Sequence, residues 1–200
     1  MEDTQNTKKS FPIVYNSPVV LSFALISLAV LLIGQITANA SNILLFSVYR
    51  SSMLSPLFYI RLFGHVLGHS GWSHYIGNMM LFLLIGPMLE EKYGSKDLLF
   101  MILITAFVTG IVHIIVSPAR LLGASGVVFM MITLSSVTSV KKGKIPLTLI
   151  FVVILYIGQQ IINGIFVKDN ISQLTHIVGG VLGIVFGLVI PNLDDKKPRS

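Results

Sequence analysis

Two hundred residues, 54% hydrophobic and only 11% charged, with a mean hydropathy of +0.84, exclude an ordinary water-soluble domain and point to an integral membrane protein. The chain has no cysteine, which excludes disulfides, a thiol nucleophile and thiolate metal sites. The formal charge of +6 is no nucleic-acid signature, because the lysines and arginines lie at the ends of apolar segments instead of forming a patch.

Six apolar stretches, at about 17–38, 75–93, 96–117, 123–140, 145–166 and 174–191, are long enough as helices to cross a hydrocarbon core of roughly 30 Å. A membrane barrel would need segments of about ten residues alternating in polarity, and none occurs. The expected fold class is therefore all-α, with six transmembrane helices in one domain over residues 17–191 and short tails at 1–16 and 192–200. The first stretch is too long for a signal-peptide core and lacks a small-residue cleavage pattern, so it counts as a span. Residues 39–73 are too long for a turn and carry Trp72, several Phe and Tyr, two arginines and two histidines. They are expected to form an ordered first outer loop, partly embedded at the membrane interface.

With the N-terminus cytoplasmic, ten basic residues fall on the inner side (Lys8, Lys9, Lys92, Lys96, Lys141, Lys142, Lys144, Lys196, Lys197, Arg199) and four on the outer side (Arg50, Arg61, Arg120, Lys168). That asymmetry puts both termini in the cytoplasm. The second, fourth and sixth spans then enter from outside, and each begins at polar residues: "HYIGN" (74–78), "GASG" (123–126) and "THIVGG" (175–180). His74, Ser125 and His176 are thus expected at similar depth, within about one or two helical turns of the outer surface, near helix N-terminal ends whose unpaired N–H groups suit an anion. His74 and Asn78 are four apart and share a helix face.

Gly179, Gly183 and Gly187 repeat every four residues, a small face that lets helices touch backbone to backbone. If that face meets the glycine-flanked start of the fourth span, His176 reaches Ser125 and supplies the base a serine nucleophile needs. No carboxylate is placed to complete a triad: Glu90, Glu91 and Asp97 lie at the inner end, and Asp169 in an outer loop.

These residues resemble the rhomboid intramembrane serine proteases, through "RLFGHVLGHSGWSHYIGNMMLFLLIGPMLEEKYGS" (61–95), "GASG" (123–126) and "HIVGGVLG" (176–183). The resemblance implies cleavage of peptide bonds in or near substrate transmembrane segments, with Ser125 as nucleophile and His176 as general base and acid. It also implies an oxyanion hole formed by His74, Asn78 and the Ser125 N–H. Supporting roles fall on Arg61, His65, His69, Glu90, Gly94, Ser95, Gly123, Gly126, Phe129, Gly179, Gly180 and Gly183. Phe129 stands where a tyrosine often stacks on the catalytic histidine, and Ile60 where a tryptophan is common.

No cofactor and no metal are expected, and the partners are transmembrane protein substrates and the lipid bilayer, in the plasma membrane of a prokaryote. The chain looks like a minimal six-span core. Three alternatives stay open: an inactive relative that binds membrane clients, a zinc site on His65, His69 and His74, and a transporter. The zinc reading lacks the glutamate of H-E-x-x-H, and the transporter reading lacks inverted repeats.

The charge count predicts that a reporter fused at Ser200 is active in its cytoplasmic form and one fused at Arg120 in its external form. Activity of the Ser200 fusion only outside would overturn the orientation.

Overall fold

The computed structural model describes residues 15–137, 147–152, 154 and 170–193. Among these, regular structure is helical: α1 (Pro18–Ile36), α2 (Ala40–Leu45), α3 (Pro56–Gly64), α4 (Trp72–Tyr93), α5 (Ser95–Val116), α6 (Ser125–Val137), α7 (Leu147–Val152) and α8 (Asn170–Val189). The one departure is an isolated antiparallel bridge between Val48 and Leu121. Helices α1 and α5 are long and apolar enough to cross a membrane, each with a mean hydropathy of 2.6, while α6 and residues Gln173–Val189 are shorter apolar helices. Most of the expected fifth span, the end of the fourth beyond residue 137 and most of both tails lie outside the described residues. Two helix starts differ from the sequence reading: α4 begins at Trp72 instead of residue 75, and α8 at Asn170 instead of 174.

Helix α6 is the centre. Val127, Met130, Met131 and Leu134 are fully buried, and α4, α5 and α8 all pack on it. That explains a sequence apolar on every side, which a helix shows only when neighbours surround it.

Helix α4 serves two neighbours because positions four apart drift by about 40° around a helix. Its N-terminal part carries His74 and Asn78, whereas Phe82, Gly86 and Glu90 face α1. Phe82 stacks on Phe23 with ring centroids 4.6 Å apart. At Gly86 a Cβ would lie 2.8 Å from a Val20 methyl, so the glycine sets how closely the two helices approach. One turn further on, the buried Glu90 carboxylate accepts the Val19 and Val20 N–H groups at 2.9 and 3.0 Å and the Ser95 hydroxyl at 2.7 Å. These N–H groups belong to the first turn of α1, where a helix has no internal acceptors and where Pro18 already lacks a donor. A carboxylate there also complements the helix dipole. Gly94, at φ +85°, ends α4 in the left-handed region and turns the chain into α5.

The loop between α1 and α4 is ordered by buried polar contacts. Arg61 lies over the Tyr49 ring at 4.5 Å and donates from Nε to the Leu44 carbonyl at 2.8 Å, tying α3 to α2. Its outward side chains, including Leu54, Met53 and Tyr59, are apolar and exposed. His65 and His69 are buried on the inward side. His65 packs against Thr109, with Nε2 3.5 Å from its hydroxyl, and its carbonyl accepts the Gly123 N–H at 2.9 Å. The His69 carbonyl accepts from Asn42 at 3.2 Å. Burial pulls both imidazoles down from 6.5 to about 4, so they are neutral supports of the loop that leads to Ser125.

Two outcomes follow from these supports. Glu90→Ala strands two helix N–H groups at the inner end and is expected to cost about 3 kcal/mol, read as a lower unfolding midpoint in detergent. Because the folded pKa values of His65 and His69 lie below the unfolded value, the unfolded chain binds more protons between pH 6.5 and 4. Stability is therefore full above about pH 6.5 and falls as pH drops toward 4. Thermal melts across that window check it, and a His65→Gln, His69→Gln double variant should flatten the slope.

Candidate active site

Ser125 is the first residue of α6 and is half-buried. The segment before it is pinned on both sides: Leu121 exchanges two backbone hydrogen bonds with Val48, and Gly123 donates to the His65 carbonyl. Gly123 has φ +135°, and a Cβ there would lie 2.7 Å from His74 Nε2. Only glycine meets both the conformation and the space.

His176 is the seventh residue of α8, in its second turn and not at its start. Ser125 stands at the start of α6, His74 lies in the first turn of α4, and His176 in the second turn of α8. The earlier start of α8 leaves its orphan N–H groups near Asn170 instead of near the serine.

His176 Nε2 lies 2.7 Å from Ser125 Oγ. The contact exists because α6 and α8 touch along their backbones: a Cβ at Gly179 would collide with the Gly126 carbonyl, and one at Gly183 with the Met130 carbonyl and the Thr133 hydroxyl. Gly180 accepts a hydrogen bond from Thr133 Oγ1 at 2.8 Å, which fixes the register of the two helices. Phe129, one turn after Ser125, stacks on the imidazole with centroids 4.6 Å apart and planes 6° from parallel. The ring is thus held by a face contact as well as by the serine.

His74 and Asn78 present two nitrogens toward Gly123: its Cβ position lies 2.7 Å from His74 Nε2 and 3.9 Å from Asn78 Nδ2. The Ser70 backbone N–H, 3.5 Å from His74 Nδ1, can only donate, an approach that favours Nδ1 as acceptor and leaves Nε2 to donate. The Ser70 hydroxyl lies 3.1 Å from the same nitrogen. Asn78 Nδ2 is buried and has no hydrogen-bond partner among the described residues. Two donors therefore converge beside the serine, one of them unspent, an arrangement suited to a developing negative charge. Sequence reasoning missed Ser70, although a hydroxyl four residues before a histidine at a helix start is a readable spacing. It also missed Thr133, whose signal is a hydroxyl on a helix facing a glycine row.

Among the described residues, Glu90, Glu91 and Asp97 sit at the far end of α4 and the start of α5; Glu90 is sixteen residues from His74, about 24 Å along the helix. No group of three or more His, Asp or Glu side chains comes together to hold a metal among the described residues. His69 and His74 do stack edge to face at 5.1 Å, while His65 turns toward Thr109.

A family profile described as a rhomboid domain matches residues 57–192. The chain is 25% identical over 143 residues to the rhomboid protease GlpG of Haemophilus influenzae, covering 70% of this chain and 71% of that protein. It is 25% identical over 187 residues to the rhomboid protease GluP of Bacillus subtilis, covering 91% of this chain and 35% of the relative. To rhomboid-related protein 1 of Caenorhabditis elegans it is 28% identical over 134 residues, 61% of this chain and 37% of the relative. With the matched profile extending from α3 through α8, across every residue of the site, the chain belongs to the rhomboid family.

Proposed function

We propose that this protein is an intramembrane serine endopeptidase that cleaves transmembrane segments of membrane-protein substrates with a Ser125–His176 dyad. The observation that carries the reading is the 2.7 Å hydrogen bond between His176 Nε2 and Ser125 Oγ, in a family two of whose matched members are named proteases. In this mechanism His176 Nε2 takes the hydroxyl proton as Ser125 Oγ attacks the scissile carbonyl. The new oxyanion accepts hydrogen bonds from His74 Nε2–H, Asn78 Nδ2–H and the Ser125 N–H. His176 then gives its proton to the leaving amine, leaving an acyl-serine. Water, deprotonated by the same nitrogen, attacks the acyl carbon and releases the acid with Ser125 restored. Phe129 holds the imidazole plane, the orienting task a carboxylate performs in a triad.

The accompanying architecture is a single six-span domain over residues 17–191 in a prokaryotic plasma membrane, with both termini cytoplasmic. The apolar lengths of α1 and α5 and the charge asymmetry of the sequence support it. Ser125 then opens toward the outer side, reached from the polar starts of α4 and α6. No cofactor enters any step.

Purified protein incubated with a tagged fluorophosphonate is expected to carry the adduct on Ser125, located by mass spectrometry. Ser125→Ala should abolish labelling and cleavage of single-span substrates in liposomes, and His176→Ala should reduce both strongly with the fold intact. Asn78→Ala should lower kcat by about 10²–10³ with little change in KM, because its donor acts on the transition state. Folded wild-type protein that neither labels nor cleaves would make this chain an inactive relative; labelling undiminished in His176→Ala would reject the dyad.

A further inference from the structure

We propose that a small cavity beside the candidate site is a substrate subsite for a neutral polar side chain carrying both a hydrogen-bond donor and an acceptor, recognised by Asn42 and Arg120. The proposal rests on the protease reading and adds its substrate preference. The cavity, about 130 Å³, is lined by Ile43 and Leu122 together with the polar side chains of Asn39, Asn42, Ser47, Ser70 and Arg120.

Asn42 is 3% exposed. Its Nδ2 donates to Asn39 Oδ1 at 3.0 Å and to the His69 carbonyl at 3.2 Å. Both partners are acceptors, so the amide orientation is determined and Oδ1 is left as an acceptor on a residue that lines the cavity. Oδ1 is buried and has no partner among the described residues. A buried acceptor in that state is unfavourable, and a ligand donor relieves it. Asn39, at φ +67°, holds the start of α2 so that this amide stays in place.

Arg120 stands exposed at the rim, its guanidinium 5.4 Å from the Tyr49 ring centroid. It can only donate. A ligand that fits therefore donates a hydrogen bond to Asn42 Oδ1 and accepts one from Arg120: a carboxamide or a hydroxyl. A carboxylate has only acceptors and would face Asn42 Oδ1, and an ammonium would face the charge of Arg120.

Two wall residues connect the cavity to the proposed chemistry. Ser70 Oγ lies 3.1 Å from His74 Nδ1. Leu122 immediately precedes Gly123, whose Cα lies against the His74 ring. The cavity therefore adjoins the His74 side of the proposed site.

The test uses the full chain in liposomes with a single-span substrate varied one residue at a time around the cut, alongside fluorophosphonate labelling of Ser125. At one position Asn, Gln, Ser or Thr is expected to raise kcat/KM about tenfold over Ala, Leu, Asp and Lys, the scale of one net hydrogen bond to a polar or charged partner. Arg120→Gln, an exposed change, should cut that advantage to about two- to threefold, and Asn42→Leu should remove it. Should Asn42→Leu fail to fold, because it also loses the bonds to Asn39 and His69, Arg120→Gln carries the test alone. A wild-type enzyme that labels and cleaves without a polar preference, or prefers an acidic or apolar residue there, overturns the subsite and leaves the protease reading standing. Wild-type protein that neither labels nor cleaves defeats the protease reading itself, and the subsite with it.

Discussion

The contact between α6 and α8 is the constraint on which the candidate site depends. In a bilayer the tails around a helix are as apolar as its side chains, so helices associate through close packing and hydrogen bonds, not through escape from water. Here the approach is close enough for Gly179 to rest on the Gly126 carbonyl and Gly183 on that of Met130. Dispersion between backbones falls off steeply with separation, so a single methyl at either glycine would push the helices apart. The 2.7 Å distance from His176 to Ser125 is the outer end of this contact, and the Thr133 hydrogen bond to Gly180 keeps it from sliding. Stability and the proposed chemistry share one interface.

Around it the fold solves a second problem, how to keep polar groups in an apolar setting without loose charge. Glu90 is saturated by two N–H groups and a hydroxyl at the inner end of the bundle. Arg61 spends its donor on a carbonyl and its face on Tyr49. His65 and His69 are kept neutral by burial and work largely through their backbone carbonyls, which hold Gly123 and Asn42. Each group thereby orders a stretch of backbone that lacks helical hydrogen bonds of its own, the condition for irregular chain at membrane depth. The donor of Asn78 and the acceptor of Asn42 are among the buried polar atoms that find no partner among the described residues.

The sequence by itself determined the helical class, since apolar runs of this length leave no other way to satisfy a backbone in lipid. It also determined which residues share a face, because helical periodicity is local: His74 with Asn78, and Gly179 with Gly183. Only the tertiary structure decided which face meets which. The glycine row says that a helix can be approached closely, but Gly126 and Met130 become its partners through the packing of α4, α5 and α8 on the central helix. The depth of His176 likewise depends on α8 starting at Asn170, one turn before the apolar run begins, where the polar pair Asp169–Asn170 is of the type that caps helices. The ordering of residues 39–71 was foreseeable from their composition, yet the bridge from Val48 to Leu121, the tie from His65 to Gly123 and the cavity at Asn42 join positions about 58 to 80 residues apart. Local pattern encodes propensity and face; contacts between distant segments arise only when the whole bundle selects one arrangement, and that is where the site is assembled.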